Sequence, residues 1–195
     1  MKLLKFNDEM LQLVISGQKT QTRRPIDGFD VFEPYETGFW RVHGPFPRDT
    51  HDEDTGTVIP AGTYSRSIVA LKHLDWYCPY GRTGDFINFH DANGYPIGKI
   101  MLDSVRADRL QNISAAGAKA EGLAEISKDG KLFKFGLPDM DGLPGGCDIG
   151  WQWSEWEKNP VMAYKKLWAS IYGKDSWDNN PWVWVIEFRR INNEQ

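Results

Sequence analysis

The residues best suited to chemistry lie in one short stretch near the start of the chain, Gly17-Gln18-Lys19-Thr20-Gln21-Thr22-Arg23-Arg24. It combines an amine, hydroxyls and two guanidiniums, a set that could hold one nucleotide or a short single strand of nucleic acid. If the stretch is a β-strand, alternate side chains point to opposite faces. One face then carries Thr20, Thr22 and Arg24, and the other carries Lys19, Gln21 and Arg23. Lys19 stands at the turn before the strand, where its amine could still reach Thr22.

A simpler interpretation of this stretch is a solvated edge strand, because Thr favours strands and Lys and Arg protect exposed edges. The residues before it predict a helix over 8–16 that delivers the chain into the strand at a fixed angle. Asn7 is a suitable N-cap, and Asp8 and Glu9 suit the first turn, where the helix dipole favours anions. Gly17 is a typical residue for ending such a helix.

Composition and charge limit the classes of protein that this chain can belong to. Its 195 residues suit one domain, with 41% hydrophobic and 26% charged residues, as in ordinary globular proteins. No apolar run is long enough for a membrane span, so we expect a cytoplasmic protein. The net charge of −4 argues against broad binding to duplex DNA, which needs a basic face.

No pattern of metal ligands stands out in the sequence. Cys78 and Cys147 belong to no Cys-x-x-Cys pair, and the histidines are scattered. The acidic run at 51–54 resembles part of a zinc deaminase signature and part of a calcium loop, but both lack their remaining ligands. We therefore expect neither a metal nor another cofactor.

The remaining patterns predict an α+β fold, a mixed, mostly antiparallel β-barrel with flanking helices. Strands are predicted at 66–71, 85–90, 97–106 and 182–188, and helices at 114–122 and 160–172. Strand 182–188 is apolar on both faces up to Ile186, so it should be central. Residues 1–195 are taken as a single domain with irregular insertions at about 25–65 and 125–158.

Three further side chains could belong to a site. Trp76 and Tyr80 precede a glycine-bracketed turn and could line a pocket, although aromatic residues next to a barrel are just as often core. Glu121 is predicted at the C-terminal end of helix 114–122, where the helix dipole repels a carboxylate. Such a carboxylate is either exposed or held for a partner elsewhere in the fold.

Taken together, four motifs resemble those of ASCH domains, relatives of the PUA fold. They are Gly17-x-Lys-Thr-x-Thr-x-Arg24, Tyr80-Gly-x-x-Gly-Asp85, Ala118-x-x-Glu121-Gly122 and a closing hydrophobic strand. The segment from Leu167 to Val185 is similar to a branch common in phages and prophages. The chain departs from that branch after Asp85, where the branch has a Trp and then an Arg-Glu pair.

The resemblance implies an activity and a set of site residues. A small bacterial ASCH enzyme removes the acetyl group from N-acetylated cytidine with a Lys, a Thr and a Glu, which the motifs match to Lys19, Thr22 and Glu121. A Thr hydroxyl needs a neighbouring base to become a nucleophile, and a partly buried Lys beside two arginines has a lowered pKa. The substrate-binding residues expected beside this set are Arg24, Arg23, Tyr80 and Trp76, with Arg24 able to stabilise an oxyanion or grip the substrate.

Three functions are therefore compatible with the sequence. The first is a metal-independent amidohydrolase acting on an N-acylated or otherwise modified pyrimidine nucleoside. The second is a noncatalytic module that binds single-stranded RNA or a nucleotide, and the third is a nuclease of the same fold. A closed pocket would favour the first, and an open groove lined by Lys and Arg would favour the others.

Overall fold

A curled, mostly antiparallel sheet of five strands forms the centre of the computed structural model, which describes residues 2–52, 55–145 and 150–191. In spatial order the strands are β1 (Leu4–Lys5), β8 (Phe86–His90), β9 (Pro96–Arg109), β12 (Trp182–Ile191) and β2 (Gln21–Pro25). β1 runs parallel to β8, and the other neighbours are antiparallel. The sheet is a half-barrel with β1 and β2 at its two ends, so the predicted α+β class and the mostly antiparallel, curled sheet are confirmed.

The last strand, β12, lies between β9 and β2, as its sequence predicted. Its residues Val183, Val185 and Ile186 are fully buried, and Trp184 is nearly so. Because both faces of this strand are covered, its apolar run continues without alternation. β2 pairs with β12 on one side only, with Thr22 opposite Ile186.

In the part of the chain that the structure describes, three α-helices pack around the half-barrel: α1 (Asp8–Ile15), α2 (Ala115–Ala120) and α3 (Pro160–Tyr172). All three begin with a capping side chain: Asn7 accepts from the Met10 N–H, Ser114 from the Gly117 N–H, and Asn159 from the Val161 N–H. These caps satisfy backbone donors that a helix leaves without an intrahelical partner. The predicted helices are confirmed to within a residue or two at their ends.

Residues 25–65 are more regular than the sequence indicated. β3 (Val31–Glu36), β4 (Phe39–Pro45) and β7 (Tyr64–Ala70) form a three-stranded antiparallel sheet, and β5 (Thr50–His51) and β6 (Val58–Ile59) form a small ribbon. β3 was missed because Glu and Pro are rare in strands, but it is an edge strand, where proline is tolerated. Trp40 of β4 is buried against Trp182 of β12, so this sheet packs on the central one.

Residues 125–158 also contain paired strands that the sequence did not indicate. β10 (Ala124–Ser127) and β11 (Phe133–Gly136) form an antiparallel pair, and the rest of the described segment is irregular. Three residues discussed above, Cys147, Glu53 and Asp54, lie outside the described residues. Within the described ranges, no helix is both long enough and apolar enough to cross a membrane.

Candidate active site

Lys19 lies in the turn between α1 and β2 and is almost completely buried. Its backbone N–H donates to Leu13 O at the end of α1, which fixes where the side chain leaves the turn. The Lys19 Nζ lies 2.7 Å from Glu121 Oε2 and donates to the Glu121 backbone carbonyl, also at 2.7 Å. The predicted contact between these two residues, 102 positions apart, is therefore present.

Glu121 is held against Lys19 by the turn that follows α2. The next residue, Gly122, has a φ of +110°, and a Cβ there would lie 2.8 Å from Leu13 Cδ1, so only glycine fits. The Thr20 N–H donates to Ala120 O, and Gln18 Nε2 donates to Gly122 O. These bonds dock the end of α2 on the turn before β2, and they explain why a carboxylate is tolerated at a helix C-terminus.

Thr22 lies on β2 and lines the same small cavity as Lys19 and Glu121. The cavity measures about 20 Å³, the space that one water molecule needs. Its walls come from α1, β2, the end of α2 and α3: Met10, Lys19, Thr22, Arg23, Arg24, Glu121, Tyr164, Leu167, Trp168, Ile171 and Tyr172. The three residues carried by the resemblance thus meet at one cavity, but a nucleoside does not fit inside it.

Arg23 and Tyr164 complete the surroundings of the Glu121 carboxylate. Arg23 Nη1 lies 3.6 Å from Glu121 Oε1, which is an ion pair too long for a hydrogen bond. The Tyr164 hydroxyl lies 3.5 Å from the same oxygen. Lys19 and Arg23 both approach this carboxylate, so two basic side chains are buried next to one acidic one. Thr22 and Arg23 line the same cavity, although alternation along the strand predicted opposite faces for them.

This environment shifts the protonation of two groups. Burial lowers the pKa of Lys19 below its usual value, Arg24 and Arg23 lower it further, and Glu121 opposes the shift. Burial also raises the pKa of Tyr164 well above its usual value, with a further contribution from Glu121. The site therefore favours a neutral amine at Lys19 more than water does, and it keeps the Tyr164 hydroxyl protonated.

Arg24 connects the cavity to the surface. Its Nη2 donates to Lys5 O at 2.8 Å, and its guanidinium lies over the Phe6 ring. An outer depression of about 250 Å³ shares four lining residues with the inner cavity: Met10, Arg24, Ile171 and Tyr172. We call this depression the vestibule, and it is the space through which a ligand would approach Thr22.

The two aromatic residues predicted to bind substrate have different positions. Tyr80 is half-buried and is not a lining residue of the inner cavity or the vestibule, and burial raises the pKa of its hydroxyl while the Arg24 charge opposes this shift. Trp76 lines neither the inner cavity nor the vestibule. It belongs to a 3-10 turn, Leu71–Tyr77, that directs Leu74 and Tyr77 into the core, and its own ring packs against His73.

A larger open groove of about 430 Å³ lies on the other side of β2. Arg106 Nη1 lies 2.7 Å from Glu187 Oε1, and the other charged residues of the groove also include both signs: Arg23, Asp103 and Asp108. Arg23 and Gln21 form part of its wall, so β2 separates this groove from the inner cavity. The mixed charge makes it a poor track for a phosphate backbone.

The sequence did not single out Tyr164 and Trp168 as site residues. Both lie on the apolar face of α3, which the spacing predicted to be plain core. The available signal was the polar atom that each ring carries, since a buried Tyr O–H or Trp N–H usually needs a partner.

In the described ranges, no three His, Cys, Asp or Glu side chains are placed to hold a metal ion together. No protein-family model, curated protein or solved structure matches the chain.

Proposed function

We propose that this protein is an amidohydrolase that removes an acyl group from the exocyclic nitrogen of a modified pyrimidine nucleoside such as N-acylated cytidine. The observation that carries the proposal is the buried contact between Lys19 and Glu121 at a cavity that Thr22 also lines. A hydroxyl, an amine with a lowered pKa and a carboxylate that orients that amine are the parts of an activated nucleophile.

The proposed reaction forms and then hydrolyses an acyl-threonine ester, with Lys19 carrying the proton. Neutral Lys19 takes the proton of the Thr22 hydroxyl as Thr22 Oγ1 bonds to the acyl carbon, and the C=O electron pair moves onto oxygen. When that pair returns, the C–N bond breaks, and Lys19 gives its proton to the departing nitrogen. Water then attacks the acyl-threonine ester and releases the carboxylic acid and free Thr22. Glu121 holds the Lys19 ammonium between the two transfers.

In this proposal, the inner cavity and the vestibule receive different parts of the substrate because they differ in volume. The inner cavity of about 20 Å³ takes only the oxygen of the reacting carbonyl, whereas the vestibule of about 250 Å³ can receive most of a nucleoside. Arg24 and Tyr172 stand between them and form the contact surface for the base and sugar. A ligand in the vestibule has to displace these two side chains slightly to bring its acyl carbon to Thr22.

The test is hydrolysis of a panel of N-acylated cytidines, with released cytidine and acid measured by chromatography. The wild type should release both in equal amounts, Thr22→Ala should release neither, and Thr22→Ser should retain part of the rate because it keeps the hydroxyl. Equal rates for wild type and Thr22→Ala would contradict the proposal.

A second function, binding of a nucleotide or single-stranded RNA without catalysis, is favoured by charge alone. Lys19 and Arg23 lie next to one buried carboxylate, and Arg24 lines the same cavity, so basic groups outnumber acidic ones at the site. This function predicts that a phosphate-bearing cytidine binds with an affinity that falls with salt, and that Thr22→Ala binds it as well as the wild type does. A turnover that depends on Thr22 would favour the hydrolase instead.

A further inference from the structure

Two residues that line the inner cavity carry buried N–H groups without a hydrogen-bond acceptor. Within the described ranges, five buried side-chain nitrogen or oxygen atoms lack a hydrogen-bond partner: Arg23 Nε, Arg23 Nη1, Thr50 Oγ1, His90 Nδ1 and Trp168 Nε1. Three of these five belong to Arg23 and Trp168, which both line the cavity. Buried donors are normally paired, so their concentration at one cavity needs an explanation.

The acceptors nearest to these donors are already engaged. Glu121 Oε2 accepts from Lys19 at 2.7 Å, and Glu121 Oε1 is approached by the Tyr164 hydroxyl and the Arg23 guanidinium. The cavity of about 20 Å³ has space for one oxygen atom and none for a phosphate group. Its chemistry therefore suits a single, electron-rich oxygen.

We propose that this cavity is an oxyanion hole in which Arg23 and Trp168 donate to the carbonyl oxygen of the acyl group. The assignment rests on the proposed function, and it names two further catalytic residues. As Thr22 Oγ1 bonds to the acyl carbon, the C=O electron pair becomes a negative charge on that oxygen. Donors fixed in a water-poor site stabilise this charge more than they stabilise the neutral carbonyl, so they accelerate the reaction.

In this proposal Arg23 stabilises the oxyanion, whereas the sequence had suggested Arg24 for that role. Arg24 is half-buried, and its guanidinium is engaged by Lys5 O and the Phe6 ring at the vestibule. Arg23 is almost completely buried, and its Nε and Nη1 have no hydrogen-bond acceptor, since the ion pair of Nη1 with Glu121 is too long for a hydrogen bond. The Trp168 indole is held between the rings of Tyr164 and Tyr172, which fixes its position in the wall of the cavity.

The test compares two buried tryptophans that differ in their relation to the cavity. Trp168→Phe removes the unpaired N–H, and Trp156→Phe removes an N–H that donates to Trp151 O away from the cavity. Trp168→Phe should lower kcat for an N-acylated cytidine about 100-fold with KM unchanged, and Trp156→Phe should keep the wild-type kcat. Arg23→Lys retains the positive charge next to Glu121 and should also lower kcat. It tests the proposal independently if Trp168→Phe does not fold.

A high-resolution crystal structure of the wild-type protein separates the two proposals. It should show an oxygen atom within hydrogen-bonding distance of Trp168 Nε1 and Arg23. If the wild type hydrolyses none of the substrates, the proposed function is wrong, and that oxygen would still support a donor-lined acceptor site. If the wild type is active but Trp168→Phe and Arg23→Lys keep its kcat, the oxyanion hole is wrong and the proposed function remains.

Discussion

The charged side chains on the two sides of β2 differ in burial and in pairing. In the outer groove, Arg106 and Glu187 are partly exposed and form an ion pair with each other. In the inner cavity, Lys19, Arg23 and Glu121 are all buried, and the two cations share one carboxylate. β2 therefore separates a surface groove in which basic and acidic side chains are paired from a buried cavity in which basic side chains are in excess.

This difference shows on which side of β2 charged groups are costly to the fold. Exposed ion pairs contribute about 0–1 kcal/mol and are easily replaced. Buried charges are costly to desolvate, and well-packed hydrophobic residues in their place are often neutral or stabilising. A buried cluster with excess positive charge and unpaired donors is the kind of local conflict that occurs at functional sites.

The largest expected effect is on turnover of an acylated cytidine. Lys19→Ala or Thr22→Ala should each lower kcat at least about 1,000-fold, because base and nucleophile act as one unit. The double variant should lose little more than either single variant. Arg106→Gln, in the groove, should keep the wild-type rate. A double variant whose loss equals the product of the two single losses would show that the residues act independently.

The second effect concerns stability. Glu121→Gln leaves Lys19 and Arg23 buried without a counter-charge, so we expect a loss of about 3–5 kcal/mol in the free energy of unfolding. Glu187→Gln breaks the exposed pair with Arg106 and should cost about 0–1 kcal/mol. Urea denaturation of both variants measures the difference. Similar losses for the two would mean that the inner cluster is no more important to the fold than the groove.

Glycine positions offer a matched pair of backbone variants. Gly122→Ala places a Cβ against Leu13 at a φ of +110°, so it should lower stability by about 1–3 kcal/mol and displace Glu121 from Lys19. Gly130→Ala has a φ of +71° but nothing within 4 Å, so its cost should be smaller and turnover should be unchanged. Thermal unfolding and kcat of the two variants test this expectation, which an active Gly122→Ala would contradict.

The smallest effect is on pH dependence. Because the proposed base is neutral Lys19, kcat should rise with pH up to the pKa of this amine, which lies below the ordinary value of about 10.4. Between the lowered pKa of the folded state and that ordinary value, the unfolded chain binds more protons, so the free energy of unfolding should rise with pH. Lys19→Met should abolish the Lys19 contribution to this rise, and Arg106→Gln should not.

The sequence was sufficient for the features that depend on local pattern or on the ASCH-like motifs. Capped helices and the central strand β12 follow from residues next to one another, and the motifs predicted the contact between Lys19 and Glu121. Local patterns could not reveal that Glu121 is buried, because its partner is supplied by a distant turn. The identity of the fold as PUA-like stays a prediction.

The features that the sequence missed depend on tertiary packing. β3 contains two Glu residues and Pro34, and it is a strand only because β4 pairs with it and Phe32 packs on Trp40. Trp168 looked like core because its spacing on α3 is that of a buried stripe. Only the fold shows that its N–H lacks a partner beside Thr22.

The position of β12 determines the order in which the site can be assembled. Among the described strands, β2 pairs with β12 alone, so the strand that carries Thr22 has no paired neighbour until residues 182–191 have been made. Contacts between residues so far apart in sequence form slowly, because a long loop must close first. On the ribosome, a growing chain that contains Lys19, Thr22 and Glu121 therefore has no assembled site until β12 emerges.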